Sequence, residues 1–354
     1  MKNLEKYRSL LGETLDGLLL TSRYSRHYGA EFDIAEGVAV VTRESALYFT
    51  DSRYIESAQN NIKGFDVVEM NRANPYNKLI NDAIAKYDIK RLGYEEIYMT
   101  VAEQTNFAEN LHCELIPASA SIDGFRAIKE SWELDRIRKA QEITDKAFSE
   151  VITRIKTGMT EKQLQAELIY CLYKNGGEGL AFDPIVVSGP NTSLPHGVAT
   201  DRVIREGDFI TLDFGAIYGG YCADMTRTVA VGYATEEMKK VYETVLAAQE
   251  AGIAISKAGV TGSAIDSAAR QVIADAGYGE YFGHGYGHCI GMECHEMPSC
   301  SPFGQREMEV NMVSSAEPGI YLPGKFGVRI EDLIIFTADG YENITRSPKN
   351  LIIV

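Results

Sequence analysis

The spacing of hydrophobic residues divides the chain into two parts. Over residues 1–122, short apolar runs alternate with longer segments whose apolar positions repeat with a helical period, as in residues 75–87. The apolar runs are GLLLTS, GVAVVT, ALYFTD and FDVVEM, each bounded by glycine, aspartate or charged residues. Because strand-like and helix-like segments alternate, the pattern predicts an α/β domain over residues 1–122.

A second pattern begins after the segment PASASIDGFRAIK, which interrupts the alternation near residues 118–128. Long helices are then predicted over residues 133–156 and 236–257, because apolar residues recur there on one face with charged residues between them. In the first of these helices the apolar positions are Leu134, Ile137, Ile143, Ala147, Val151 and Ile155. We therefore expect a second domain over residues 123–354, and the length of the chain suits two domains.

The second domain repeats itself loosely, with an offset of about 100 residues. In each half, a long helix precedes a short helix that starts after Gly-x-Thr and closes at a glycine, and a pair of strands follows. This order predicts an α+β domain with an internal pseudo-twofold repeat. The matching positions are 158–160 (Gly-Met-Thr) with 259–261 (Gly-Val-Thr), Leu164 with Ile265, and Gly176 with Gly277.

Each strand pair carries two carboxylates, one on each strand. The first pair, TLDFGAIYGGYCADMTRTV, contains Asp213 and Asp224, and the second, SAEPGIYLPGKFGVRIEDLIIF, contains Glu317 and Glu331. If the two halves face each other, all four carboxylates surround one centre.

The first strand pair allows a prediction of register. A two-residue turn at Tyr218 and Gly219 would place Asp213 directly opposite Asp224, with their Cβ atoms about 5 Å apart. Two carboxylates at that distance repel each other unless a cation lies between them. The alternatives are that one of them points to solvent, or that Arg227 neutralises the pair.

A histidine completes a candidate metal site. His288 lies in GHGYGHCIG, where the glycines allow close approach of the backbone, and it is one of three histidines spaced by four and seven residues. Four carboxylates balance the charge of two divalent ions, and His288 adds a neutral ligand. Such ligands suit Mn²⁺ first, with Co²⁺, Zn²⁺ and Fe²⁺ open, and a site of this kind favours a hydrolase. The other two histidines of this stretch are His284 and His295.

Composition and charge narrow the possible functions. The chain has 45% hydrophobic and 24% charged residues and a net charge of −15, which argues against a nucleic-acid partner. It has no signal-peptide pattern at the N-terminus and no run of about 18 apolar residues, so we expect a cytoplasmic protein with no membrane partner. The six cysteines show no Cys-x-x-Cys spacing, which favours reduced, unreactive thiols. A metal cluster of Cys289, Cys294 and Cys300 is the alternative.

In combination, these motifs resemble the "pita-bread" metallopeptidases: aminopeptidase P, prolidase, methionine aminopeptidase and creatinase. The matching stretches are SGPNTSLPHG, TLDFGAIYGGYCADMTRTV, GHGYGHCIGMECHEMP, SAEPGIYLPG and GVRIEDL. The first domain resembles the creatinase-type N-terminal domain, which methionine aminopeptidases generally lack. Creatinase has lost the metal ligands, whereas all five positions are filled here. The resemblance is therefore to the proline-specific branch of the family.

The resemblance implies a role for each matching residue. Asp213 would bind one metal ion, His288 and Glu317 the other, and Asp224 and Glu331 would bridge them. The implied catalytic residues are His196, His295 and Glu317, and the implied substrate-binding residues are His284, Arg329 and Tyr321. Two positions depart from the family. Cys289 follows the ligand histidine where glycine is common, and there it could tighten the pocket or make the site sensitive to oxidation. Leu194 replaces a residue that is often polar.

The implied activity is hydrolysis of the bond between an N-terminal residue and proline, by attack of a hydroxide shared between two metal ions. Small peptides with proline in the second position would be the substrates, and a homodimer is usual in similar proteins. Whether the enzyme would act on longer peptides, as an aminopeptidase, or on dipeptides alone stays open. Further alternatives are a non-catalytic binding protein that keeps the fold and a metal hydrolase for non-proline substrates.

Overall fold

The computed structural model describes residues 2–354 and contains two compact units, which divide between Arg126 and Ala127. The division lies inside a helix, α6 (Ser119–Ala127), that also contains the boundary predicted after residue 122. The segment expected to interrupt the pattern is thus helical, because its alanine and serine residues tolerate a helix and Gly124 has open space around it. Among the described residues, no helix is both long and apolar enough to cross a membrane.

The N-terminal unit is built around a mixed sheet of six strands in the order β4-β3-β2-β1-β5-β6. Strands β1, β2 and β3 pair antiparallel, and the other neighbours pair parallel. The three antiparallel strands bury every residue, which explains why they read as continuous apolar runs. Up to Ala127, the elements are α1 (Lys2–Ser9), β1 (Gly17–Leu20), α2 (Arg23–Ala30), β2 (Val38–Thr42), β3 (Ala46–Thr50), α3 (Ile55–Asn61), β4 (Asp66–Glu69), α4 (Tyr76–Lys86), β5 (Arg91–Tyr94), α5 (Val101–Asn110), β6 (Glu114–Pro117) and α6.

The C-terminal unit contains two halves, each with two helices and a set of short strands. The first half contains α7 (Ser131–Val151), α8 (Glu161–Lys174), β7 (Gly179–Leu180), β8 (Ile185–Ser188), β9 (Phe209–Phe214), β10 (Ala216–Tyr218), β11 (Tyr221–Cys222) and β12 (Met225–Ala230). The second half contains α9 (Glu236–Ile255), α10 (Gly262–Asp275), β13 (Gly287–Cys289), β14 (Glu296–Cys300), β15 (Val313–Ala316), β16 (Gly319–Leu322), β17 (Phe326–Arg329), β18 (Asp332–Phe336) and β19 (Tyr341–Asn343). Short 3₁₀ helices lie at Ile152–Arg154, Gly189–Ser193 and Gly279–Tyr281.

The predicted repeat has a clear structural basis. Thr160 caps α8 by accepting a hydrogen bond from the Gln163 amide, and Thr261 caps α10 in the same way through the Ala264 amide. Each half also has its own buried apolar cluster. The sequence similarity between the halves therefore reflects two similar folding units, each with a helix pair packed on a strand pair.

The first carboxylate-bearing strand pair is shifted from the predicted register. The turn lies at Gly219 and Gly220, since Tyr218 pairs with Tyr221, and Asp213 consequently pairs with Thr226 instead of Asp224. Both glycines have positive φ, 57° and 79°, which a two-residue hairpin turn requires and which tyrosine disfavours. The predicted direct opposition of the two aspartates is therefore wrong.

The backbones approach closely where the strands of this pair are interrupted. A Cβ atom at Gly215 would lie 1.7 Å from the carbonyl oxygen of Ala223, so only glycine fits between β9 and β10. The interruption on the opposite strand falls at Ala223 and Asp224, between β11 and β12. Asp224 therefore projects from a break in its strand.

The second strand pair is interrupted in the same manner. Ala316 pairs with Asp332 in β15 and β18, and Gly319 pairs with Arg329 in β16 and β17. Glu317 and Glu331 lie in the gap between these two ladders, directly after β15 and directly before β18. Both halves thus present carboxylates at places where strand pairing is broken.

Candidate metal centre

The five predicted metal ligands line one cavity in the C-terminal unit, with a volume of about 620 Å³. Each half contributes two carboxylates, and the second half adds the histidine on β13. The ligand atoms of Asp224, His288 and Glu331 all lie within 4.8 Å of one another. His288 Nε2 is 3.6 Å from Asp224 Oδ2 and 3.3 Å from Glu317 Oε1. The structure therefore brings together side chains that are up to 118 residues apart in sequence (331 − 213).

Three of the carboxylates each have a buried oxygen without a hydrogen-bond partner. These atoms are Asp213 Oδ1, Asp224 Oδ1 and Glu331 Oε1. A buried polar atom normally has a partner, and leaving a charged one unpaired is costly. Divalent cations would satisfy all three oxygens at once, so the donor set fits metal ions.

Electrostatics in the metal-free site differ between the ligands. Burial and the neighbouring Asp213 carboxylate raise the pKa of Asp224 well above its usual range, and burial with the Asp224 carboxylate does the same to the pKa of Glu331. Burial also raises the pKa of Asp213, although the Arg329 guanidinium opposes this shift. These three groups ionise reluctantly until a cation is present.

Glu317 and His288 form the exception. Burial disfavours the charged form of both groups, but their hydrogen bond and mutual attraction outweigh it. The pKa of Glu317 is lowered to about 2 and that of His288 is raised to about 9. In the metal-free protein this pair is therefore charged at neutral pH, and metal binding would require loss of the His288 proton.

Two hydroxyl groups that orient the ligands were not predicted from sequence. Thr226 Oγ1 donates a hydrogen bond to Glu331 Oε2 at 2.7 Å, and Ser315 Oγ donates one to Glu317 Oε1 at 3.2 Å. Each hydroxyl lies two residues from a carboxylate of its own half, Asp224 or Glu317. That spacing is the one sequence signal that could have identified them, because residues two apart on a strand share a face.

Arg329 links the metal site to the segment that carries His196. Its guanidinium donates hydrogen bonds to Asp213 Oδ2, to the Pro195 carbonyl at 3.1 Å and to the Tyr321 hydroxyl at 2.8 Å. Arg227, the alternative partner for the aspartates, instead binds Asp332 at 2.8 Å, away from Asp213 and Asp224. The neutralising arginine therefore comes from the other half of the domain.

The three predicted substrate-binding residues form one hydrogen-bonded chain. The Tyr321 hydroxyl lies between Arg329 and His284, whose Nε2 is 2.9 Å away, while His284 Nδ1 is 2.8 Å from the Gly285 carbonyl. Since a carbonyl only accepts, Nδ1 carries the proton and Nε2 accepts from Tyr321. His284 and Arg329 line the cavity, whereas Tyr321 supports them from behind.

The two predicted catalytic histidines also line the cavity, and both are exposed. The ring of His295 lies beside the ring of His288, with centroids 4.2 Å apart. Burial lowers the pKa of His295, and the neighbouring His288 lowers it further. His196 follows Pro195 directly, so the contact between Pro195 and Arg329 fixes the backbone at its position.

The cysteines do not form a metal cluster among the described residues, and all six are free. Cys294 lines the cavity, and its Sγ lies 3.2 Å from Asp224 Oδ2. Cys289, expected to tighten the pocket or sensitise it to oxidation, is fully buried in the apolar core and does not line the cavity. Leu194 is 56% exposed and is not part of the cavity wall.

A two-half fold that gathers four carboxylates and an imidazole around one cavity is the architecture of a metal-dependent hydrolase. The chain belongs to metallopeptidase family M24, whose family model matches residues 135–338. Residues 4–128 match the creatinase/prolidase N-terminal domain. These matches confirm the predicted fold, a creatinase-type α/β domain followed by a pita-bread domain, and membership of this family implies a divalent metal cofactor.

Individual relatives are similar to this protein in sequence or structure over nearly the whole chain. An uncharacterized peptidase of Bacillus subtilis, YqhT, is 42% identical over 99% of both chains. The structure of an Xaa-Pro dipeptidase from Bacillus anthracis superposes with a TM-score of 0.96 at 41% identity, over 100% of this chain and 99% of that one. An X-Pro aminopeptidase from Thermotoga maritima superposes with a TM-score of 0.93 at 37% identity, over 99% of both chains.

Proposed function

We propose that the protein is a dinuclear-metal exopeptidase that hydrolyses the bond between an N-terminal residue and a proline in second position. The observation that carries this proposal is the cavity into which five ligand side chains converge with unpaired buried oxygens. The proline preference is supported by the similar structures from Bacillus anthracis and Thermotoga maritima, both named for action on Xaa-Pro or X-Pro substrates.

The ligand roles follow from the family motifs and the contacts of each side chain. Asp213 would bind one ion, His288 and Glu317 the other, and Asp224 and Glu331 would contribute to both. Carboxylates with a single imidazole suit Mn²⁺, which we propose as the native metal. When bound, two such ions supply an activated water at neutral pH and polarise the scissile carbonyl.

The surrounding side chains handle protons and orient the peptide. Glu317 is the proposed relay from the water to the leaving nitrogen, because its carboxylate lines the cavity beside His288, where both the water and the scissile bond would lie. His196 would assist this transfer, and His295 would donate a hydrogen bond to the developing oxyanion. Both histidines line the cavity and are exposed, so a peptide can reach them.

A dedicated site for proline is physically reasonable. The bond before proline is a tertiary amide without an N–H group, so a peptidase cannot hold it by that hydrogen bond. The apolar part of the cavity wall, which includes Phe182, Pro184, Ile185 and Val198, offers surface for a proline ring.

The first experiment compares three peptides after chelator treatment and restoration of Mn²⁺. Metal-dependent cleavage of Ala-Pro-Ala with Ala-Ala-Ala left intact would support an aminopeptidase, and cleavage of Ala-Pro alone would support a dipeptidase. If none of the three peptides is cleaved while metal analysis finds two ions per chain, the proline-peptidase proposal is wrong and a different hydrolase substrate must be sought.

The proton-handling role of His196 gives a separate test. His196→Ala should lower kcat by about 100-fold, at the low end of the range for loss of a general acid or base, with two metal ions still bound. A loss of metal from this variant would show that His196 acts through the metal site and not on the substrate.

The homodimer and the cytoplasmic location stay predictions, and sedimentation of the metal-loaded protein tests the first.

A further inference from the structure

A buried ion pair lies beside the cavity, outside the ligand set. Lys129 Nζ is 2.9 Å from Glu296 Oε2, and the two side chains are 1% and 4% exposed. The residues are 167 positions apart, and Lys129 lies in the segment just before α7. Removing two charged groups from water is costly, and a buried ion pair contributes little net stability for that reason. The contacts that the pair makes with its surroundings are therefore the better guide to its role.

Glu296 anchors the loop that joins β13 to β14. Its Oε1 accepts hydrogen bonds from the backbone amides of Met292 at 3.0 Å and Glu293 at 3.3 Å. A Cβ atom at Gly291 would lie 2.6 Å from Glu296 Oε2, so the carboxylate fills the space above that glycine. The side chain thus folds back over residues 290–295, the loop that brings Cys294 and His295 to the cavity.

Lys129 is itself held firmly. Its backbone amide donates to the Asn311 carbonyl at 3.1 Å, and its ammonium group also reaches the Ala127 carbonyl at 3.4 Å. The other side of the loop is fixed by the amide of Cys222, which donates to the Gly291 carbonyl at 2.8 Å. The loop is therefore clamped between the start of α7 and the hairpin of the first half.

We propose that Lys129 and Glu296 are positioning residues that hold the 290–295 loop so that His295 lies beside the ligand His288. Lys129 Nζ pairs with Oε2 of Glu296, and this contact holds the carboxylate where its Oε1 accepts both loop amides. Without the lysine, the buried Oε2 loses its ammonium partner, the Glu296 side chain turns away, and the loop loses its anchor. The proposal rests on the proposed function, because it takes His295 as a catalytic group.

The test compares Lys129→Met, which removes the charge, with Lys129→Arg, which keeps it. In the metal-loaded protein, Lys129→Met should lower kcat by about tenfold or more, because a misplaced His295 no longer meets the substrate correctly, while the metal content stays unchanged. Hydrogen–deuterium exchange of a peptide covering residues 290–297 should become faster in Lys129→Met and stay near the wild-type rate in Lys129→Arg.

Asp208→Asn is the control, because it breaks a different, less deeply buried ion pair of the same unit, Arg202–Asp208 at 2.7 Å. It should lower the melting temperature and leave kcat and exchange of the 290–297 peptide unchanged. If Lys129→Met does not fold, Glu296→Gln replaces it, since the carboxamide keeps the shape and loses the second acceptor oxygen.

Two results would overturn the proposal. Wild-type exchange of the loop in Lys129→Met, or in Glu296→Gln, would show that the pair does not anchor it. Faster exchange with an unchanged kcat would show that the anchor has no bearing on His295. Failure of the proposed function is distinguishable from both, because the wild-type protein would then be inactive on proline peptides while the exchange measurement still reports on the loop.

Discussion

The two carboxylate-bearing strand pairs share a backbone design but differ in electrostatics. In both, strand pairing breaks where the carboxylates project: at Asp224 in the first half, and at Glu317 and Glu331 in the second. Only the second half has a histidine-bearing strand, β13, paired beside its carboxylate strand β15. The hydrogen bond with His288 lowers the pKa of Glu317 despite its burial, whereas burial and the Asp213 carboxylate raise the pKa of Asp224.

This difference shows that the halves are interdependent rather than equivalent. Arg329 of the second half binds Asp213 of the first, and Thr226 of the first half binds Glu331 of the second. Each half thus supplies the group that orients a ligand of the other. The two repeated halves therefore form one site, and neither half alone contains all the side chains that orient its own metal ligands.

The largest effect is expected from removing a carboxylate charge in either half. Asp224→Asn and Glu331→Gln should each lower kcat/KM by roughly 1,000-fold or more, because several kcal/mol of metal-derived stabilisation is lost and each 1.4 kcal/mol is a factor of ten. Metal analysis after dialysis should find less than two ions per chain in both variants. Full activity with wild-type metal content in Asp224→Asn would rule out the proposed centre.

How far the sequence predicts this site depends on the range of the interactions. The strand pairs and their four carboxylates could be predicted because alternation and the internal repeat are properties of local sequence. The register of the first hairpin was predicted wrongly because the turn was placed at Tyr218-Gly219, although Gly219-Gly220 is the pair that tolerates positive φ at both turn positions. The carboxylates nevertheless converge, because Asp224 lies in the break between β11 and β12 and lines the same cavity as the other three.

Contacts between residues far apart in the sequence could not be predicted from the spacing of residue types. Nothing in the spacing of Asp213 indicates that Arg329, 116 residues later, would reach it, and Arg227 was the nearer choice. The position of Cys289 was also beyond the sequence pattern. Because it follows the ligand His288, we expected it to line the cavity, but it lies in the apolar core. Neighbouring residues on a strand point to opposite faces, so Cys289 enters the core when His288 faces the cavity.

The next largest effect, on metal affinity, is expected from removing the hydroxyl groups that hydrogen-bond to the ligands, Thr226 and Ser315. These variants also test whether the two halves depend on each other. Thr226→Val removes a hydroxyl that donates to Glu331 and accepts from Arg329 Nε at 3.1 Å, so two contacts between the halves are lost. Ser315→Ala removes a hydroxyl that serves the second half alone. Metal affinity should fall by about 100-fold in Thr226→Val and about tenfold in Ser315→Ala, the range for residues behind a metal site. Competitive titration with a metal indicator measures both, and equal losses would contradict the comparison.

A smaller effect concerns the stability of the metal-free protein. Because the folded-state pKa of Asp224 is raised, its contribution to stability is present below the unfolded pKa of about 4 and is lost as pH rises through the folded value. At neutral pH, metal-free Asp224→Asn should therefore melt a few degrees above metal-free wild type, with the advantage shrinking towards pH 4. Thermal unfolding in chelator at several pH values checks this. Excess Mn²⁺ should reverse the order, since it stabilises only the protein that binds it.

The smallest effect is expected at Cys294, whose thiol contacts the first half's Asp224 from the second half. A thiol is a weak hydrogen-bond donor, so its contribution to the orientation of Asp224 is modest. Cys294→Ser keeps a donor and should leave metal affinity within about twofold of wild type, whereas Cys294→Val, which fills the space without donating, should lower it by about threefold to tenfold. Cys289→Ala is the matched control, because that thiol lies in the core and does not reach the cavity. If Cys294→Val binds metal as tightly as wild type, the thiol only fills space and does not orient Asp224.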